Sequence, residues 1–211
     1  MSKLDTITET LISGDGEMLL QLVKEALDAG ISANSILNDG LIAGMDIVGE
    51  KMECGDMFIP EVLMAAQAMS ESVVILKPLL SEGQSSTVGK VVIGTVKGDL
   101  HDIGKNLVKM MLESAGFETI DLGVDISAED FVKAIIENKP DIVGLSALLT
   151  TTMPMMKRSI QTIEESGLRK NLKIIVGGAP VNQAFADEIG ADGYAPDAGA
   201  ASKLAKSLLN K

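Results

Sequence analysis

The apolar residues of this 211-residue chain change their period near residue 90, and that change limits what the chain can fold into. From residue 5 to about residue 81 the spacing is helical. In "SANSILNDGLIAGMDIVGEKM", Leu37, Leu41, Met45, Val48 and Met52 recur at intervals of three and four, with Ser32 as the expected N-cap. "DGEMLLQLVKEALDAG" repeats the pattern and stops on Gly30. "PEVLMAAQAMSESVVILKPLL" begins with Pro60, which suits a first helical turn, and carries Leu63, Ala66, Val73 and Leu76 on one side. With a short helix over residues 6–12, these segments make a four-helix bundle of antiparallel neighbours.

"SEGQSSTVGK", residues 81–90, is polar and glycine-bearing and reads as a linker. The expected division is a helical domain over 1–82, a linker over 83–90 and an α/β domain over 91–211. Past the linker, short apolar runs appear at "KVVIGTV", "ETIDLG", "DIVGLSAL", "KIIVGG" and "ADGYA". Helical stretches over 103–115, 128–137, 155–166 and 181–188 separate them. Strands alternating with helices predict a doubly wound, five-stranded parallel sheet of the flavodoxin-like (Rossmann-like) order. Such sheets bind ligands beyond the carboxyl ends of their strands, and His101 falls just past the first one.

Composition removes several functions. A formal net charge of −12, with no cluster of Lys and Arg, argues against nucleic-acid binding. The N-terminal "MSKLDTITET" lacks the pattern of a signal peptide, and no apolar run approaches the length of about 20 that crosses a bilayer. The expectation is a cytoplasmic protein without a membrane partner. Cys54, the single cysteine, fits a reducing compartment, and nothing marks it as a reactive thiolate. One Cys and one His exclude a structural zinc site. Aromatics make up only 2% while methionines number 12, so Met is expected to fill core gaps.

The only histidine lies in "GDLHDIGKN", residues 98–106, and the residues alone leave three readings open. As a P-loop the stretch is one residue too long, has Asn106 for Ser/Thr, and would turn carboxylates toward phosphates. As a surface feature, His101 would be a polar loop residue beside a helix start. As a metal ligand, it would hand its second ring N–H to Asp99, two residues away on the same side of an extended segment. Gly98 and Gly104 would let backbone approach a large flat ligand. A single protein ligand does not hold a bare cation, so such a metal must arrive inside a macrocycle.

Together with "GLSALLTTTM", "IVGGAP" and "GADGYAPDAGAA", the loop resembles the corrinoid (cobalamin-binding) proteins of anaerobic methyltransferase systems, which share a two-domain module with cobalamin-dependent methionine synthase. The similarity spans nearly the whole chain. It implies that the cofactor's own base leaves cobalt and enters a slot in the α/β domain, while His101 becomes the lower axial ligand. Asp99 would accept the other imidazole N–H. Thr152, where methionine synthase carries serine, would extend the relay with an extra methyl beside its hydroxyl. Leu100, Asp102, Ile103 and Leu148 would complete the surroundings of the ring along with Gly98 and Gly104. Ser146 and Thr150 would hydrogen-bond the displaced tail. Gly177, Gly178 and Ala179 would leave room for it, and Tyr194 with the "APDAGA" loop, including Ala198, would close the slot. In "KMECGDMFIPEV", Met52, Ile59 and Val62 would cap the upper face, although each also fits plain bundle packing.

The implied chemistry is methyl transfer: a Co(I) corrinoid accepts a methyl group from a donor:corrinoid methyltransferase and passes it on as methyl-Co(III), the methylcobalamin form. The chain holds no room for the barrel domains of about 250 residues that handle donors and acceptors, and no second acid/base constellation. It therefore reads as a non-autonomous carrier subunit. Its implied partners are a donor-specific methyltransferase, an acceptor methyltransferase using tetrahydrofolate or a thiol coenzyme, and a reductive activase, with a hinge at the linker moving the cap. The alternatives are a cobalamin-dependent sensor, a mutase subunit and a ligand-free interaction protein. Neither donor nor acceptor is legible.

Overall fold

A computed structural model describes residues 2–80 and 87–209, and it divides close to the change of period, into Met1–Ser86 and Thr87–Lys211. Residues 81–86, most of the expected linker and its hinge, lie outside the described residues. Of the remaining linker stretch, Val88 N–H already bonds the Gly116 carbonyl at 3.0 Å and Lys90 opens the first strand.

The first unit is helical. Helix α1 (Lys3–Ser13) begins with a reciprocal cap between Ser2 and Asp5, and α2 (Gly16–Asp28) with the Asp15 side chain accepting from Met18 N–H. Ser32 caps α3 (Ala33–Ser35), which runs through a π-helical stretch, Ile36–Ile42, into α4 (Ala43–Glu53). Helix α5 (Ile59–Leu76) carries proline in its first turn, and Glu61 Oε2 accepts from Phe58 N–H at 2.8 Å. Ile7, Leu11, Leu19, Val23, Ile36, Leu41, Met45 and Val48 are buried, as the periodicity requires.

On α5 the buried stripe differs from the expected one. It runs through Val62, Ala65, Ala66, Met69, Ser72 and Leu76, while Leu63 and Met64 are exposed. Of the expected side, Ala66 and Leu76 are buried, Val73 is half-buried and Leu63 is exposed; the small residues Ala65 and Ser72, which give little apolar signal, complete the stripe. The segment Ile59–Leu79 is also long and apolar enough to cross a membrane, at a mean hydropathy of 1.4. Counting unbroken apolar runs missed this because Gln67, Ser70, Glu71 and Ser72 interrupt it.

The second unit alternates. Strands β1 (Lys90–Thr95), β2 (Glu118–Asp121), β3 (Ile142–Ser146), β4 (Lys173–Gly177) and β5 (Gly193–Ala195) form one all-parallel sheet in the order β2-β1-β3-β4-β5. Helices α6 (Ile103–Ser114), α7 (Ala128–Asn138), α8 (Met153–Glu165) and α9 (Gln183–Ile189) begin and end within two residues of expectation. Alternate strand residues serve opposite faces. Val92, Val143, Ile174 and Val176 join Phe131 of α7, Met156 and Ile160 of α8 and Ile189 of α9. Val91, Ile142 and Ile175 join Leu112 of α6 and Ala205 of a final helix, α10 (Ala198–Leu208).

Helix α10 corrects the sequence reading, which treated "APDAGA" as a loop. Asp197 caps it by accepting from Ala200 N–H at 2.8 Å, and Ala198 is its buried first residue. The register sets Thr95 beside Ser146, Ser146 beside Gly177 and Gly177 beside Ala195. The carboxyl ends of four strands are therefore level, and the loops that follow them share one end of the sheet.

Candidate functional site

Two of those loops meet at one carboxylate. The loop after β1 turns at Gly98, whose φ of 82° favours glycine, and drops Asp99 into full burial. Asp99 Oδ1 accepts from His101 N–H at 3.1 Å and lies 2.7 Å from His101 Nδ1. Asp99 Oδ2 reaches the loop after β3, accepting from Leu148 N–H at 2.8 Å and Leu149 N–H at 3.3 Å. Thr152 Oγ1 stands 2.7 Å from the same oxygen and 2.8 Å from the Leu149 carbonyl, so a single hydroxyl proton faces both. A Cβ placed on Gly98 would meet the Thr152 methyl at 3.7 Å, which packs that methyl against the turn.

Burial pushes the Asp99 carboxyl up, but the hydrogen bonds from Thr152, His101 and Leu148 outweigh it and hold it well below its ordinary value. An ionised carboxylate only accepts, so the hydrogen between the two belongs to Nδ1, and Nε2 is the ring nitrogen left to meet a metal. The His101 side chain is 51% exposed although its partner is fully buried. Around it, Leu100 and Ile103 are 72% and 82% exposed, and Leu148 and Leu149 are exposed as well. A basic nitrogen stands in an apolar rim at the mouth of the sheet. Thr95 Oγ1 fixes the loop further by donating to the His101 carbonyl at 2.8 Å.

Other expected residues take varied places. Asp102 precedes α6 and its Oδ2 accepts from Asn106 Nδ2 at 3.2 Å, while a Cβ on Gly104 would meet open space. Ser146 ends β3, and Thr150 is exposed in the loop beyond it. Gly178 has a φ of 130°, and a Cβ there would stand 1.9 Å from the Ala147 carbonyl oxygen. The backbone of the sheet's end therefore demands glycine at that position by itself. A Cβ on Gly177 would be tight as well, 3.2 Å from the Ala195 carbonyl oxygen, and Ala179 beyond it is exposed. Tyr194 lies half-buried in β5, against the face that α7, α8 and α9 cover. Met52, Ile59 and Val62 belong to the other unit: Met52 is half-buried, Ile59 exposed and Val62 buried in line with Ala66 and Leu76. Val62 thus fits the core stripe of α5.

Sequence reasoning missed the acidic residues near the end of β2. Lys105 of α6 is buried, and its Nζ lies 2.6 and 2.7 Å from the two oxygens of Asp121. The same nitrogen donates to Asn106 Oδ1 at 2.7 Å. Asp125, four residues on, accepts from Gly98 N–H at 2.7 Å and from Lys97 Nζ at 2.9 Å. Those hydrogen bonds hold its carboxyl below the ordinary value. The two aspartates of "DLGVD" were the available signal, but their partners lie on other elements.

Among the described residues, no group of three or more His, Cys, Asp or Glu side chains is placed to hold a metal ion. One imidazole in an apolar rim fits a metal that brings its own equatorial donors. Comparison with known proteins agrees with that fit. Models of the B12 binding domain match residues 89–202 and, for a second domain of that description, residues 3–77. Dimethylamine corrinoid protein 1 of Methanosarcina acetivorans is 46% identical, over 99% of this chain and 100% of its own length. A cobalamin-binding protein of Desulfitobacterium hafniense superposes with a TM-score of 0.84 at 32% identity, over 97% of this chain and 98% of the other. A chain of the methanol:cobalamin methyltransferase complex of Methanosarcina barkeri gives 0.85 at 32% identity, over 99% and 80%.

Proposed function

We propose, on the premise that this chain belongs to the B12 binding domain family of corrinoid proteins, that it is the methyl carrier of a cytoplasmic corrinoid methyltransferase system. The observation that carries this reading is the half-exposed His101 ring, set among exposed apolar side chains and held through Nδ1 by the buried Asp99. When bound, the corrinoid supplies a cobalt centre that accepts a methyl group and gives it up again.

The residues do the rest. His101 would hold the cobalt through Nε2. Asp99 holds the Nδ1 hydrogen, which fixes the tautomer and makes Nε2 a stronger donor. The Leu148 N–H and Thr152 hydroxyl spread the charge of Asp99 and keep it ionised, so the proton stays at Nδ1. Leu100, Ile103, Leu148 and Leu149, exposed in the structure, would give the cofactor an apolar surface and keep water from the ligating nitrogen. Ser146, Thr150, Gly177, Ala179, Tyr194 and Ala198, at the carboxyl end of the sheet, would hold the nucleotide tail. The chain needs a donor methyltransferase, an acceptor methyltransferase and a reductive activase. A methylamine donor enzyme is the first to test, because a dimethylamine corrinoid protein is a near relative.

The test is reconstitution with hydroxocobalamin. Wild type should take it up and show the spectrum of imidazole-ligated cobalt. His101→Ala should lose that spectrum and methyl transfer from a donor enzyme. Should the variant keep both, His101 is not the ligand.

A further inference from the structure

We propose that Asp125 is a positioning residue for the Asp99–His101 pair, pinning the Gly98–Asp99 turn from the neighbouring loop. The inference rests on the reading of His101 as lower ligand. Asp125 grips the turn at consecutive residues: its Oδ1 accepts from Gly98 N–H at 2.7 Å, and its own N–H donates to the Asp99 carbonyl at 3.0 Å. The grip requires Asp125 to adopt a φ of 59°, the left-handed region where a non-glycine residue is strained.

The loop that carries Asp125 is itself stitched to the strand leading into the histidine turn. Thr95 N–H donates to the Gly123 carbonyl and Ile126 N–H to the Thr95 carbonyl, both at 3.0 Å, and Val96 pairs with Ile126 in an isolated bridge. Thr95 in turn holds the His101 carbonyl. Asp99 is thus held twice. Thr152 and the Leu148 and Leu149 N–H groups fix its carboxylate, and Asp125 fixes its backbone. A carboxylate fixed at both ends leaves the imidazole one direction in which to point.

Two variants separate side chain from backbone strain. Asp125→Gly accepts the positive φ without strain but removes the acceptor, whereas Asp125→Asn keeps an acceptor oxygen and tolerates the left-handed region. In the apoprotein, NMR should show the Gly98 amide exchanging about tenfold faster or more in Asp125→Gly, with Asn restoring most of the protection. After reconstitution with hydroxocobalamin, Asp125→Gly should lose about tenfold in affinity and show a smaller imidazole-ligated fraction, Asn lying between it and wild type.

An unchanged spectrum and affinity in Asp125→Gly overturns the proposal even if exchange accelerates, since Asp125 would then serve the loop alone. A changed spectrum with unchanged Gly98 exchange overturns it too. His101→Ala in the same assay tells the two readings apart. If it alters the spectrum and Asp125→Gly does not, only this inference fails; if it alters nothing, the ligand reading fails and this inference with it.

Discussion

Asp99 uses both carboxylate oxygens on groups from two loops, and nothing in the site tolerates its loss well. Asp99→Asn would set an amide nitrogen or oxygen against the Leu148 and Leu149 N–H groups and the imidazole N–H, leaving one side mispaired. We expect a cost of about 1–3 kcal/mol, read from urea unfolding of the apoprotein. Thr152→Ser should stay close to wild type in that assay, and Thr152→Val should lose about 1 kcal/mol, because only the latter removes the hydroxyl bound to Asp99. Gly178→Ala forces a Cβ to 1.9 Å from a carbonyl oxygen, so a loss of about 3 kcal/mol or more is expected in thermal unfolding. At this scale the hydrogen bond between Asp99 and His101 is legible in the sequence, because a two-residue spacing in extended chain sets both side chains on one side. The Asp125 grip on Gly98 spans 27 residues and left no local pattern to find.

Between elements, the buried Lys105 ties α6 to β2 through Asp121. Burial pushes the Asp121 carboxyl up, and hydrogen bonds from Lys105 and the Gly123 N–H outweigh it, so its value is lowered from 3.8. A group whose native value is depressed stabilises the fold above its unfolded value and loses that contribution as pH falls through the native one. Wild type should therefore lose stability below about pH 4, and Lys105→Met should flatten that loss, as urea midpoints at neutral and acid pH would show. At pH 7, Asp121→Asn should cost about 3 kcal/mol, since it strands a buried ammonium. Lys105→Met should cost less, because Asp121 retains solvent contact and the Gly123 N–H. Strand and helix order were legible from the β-branched runs and the helical spacing between them. Helix α10 was not, because Ala198, Gly199, Ala201, Ser202 and Ala205 form its buried face and give little apolar signal. The same scarcity of bulk hid the true stripe of α5. Asp197 before α10 was a capping signal that outranked composition.

Across the whole molecule, charge is unevenly shared. Residues 1–86 hold fourteen carboxylates against four lysines, a formal −10 of the chain's −12. A field of one sign steers oppositely charged partners and weakens with salt. Association with a donor methyltransferase should slow by about tenfold between about 0.05 and 0.5 M salt in stopped-flow measurements, if the helical unit makes the encounter. An insensitive rate would place first contact on the nearly neutral α/β unit. The apolar rim around His101 has a different consequence. Leu100 and Ile103 stand almost fully in water, next to two further leucines, on a surface that has no covalent protection. The cofactor-free chain is therefore expected to be adhesive. A hydrophobic dye should glow with the apoprotein and fade once cobalamin is added. If cobalamin covers that rim, it would shield the polypeptide as well as equip it, and scarcity of it would be felt first as clumping and turnover of the chain.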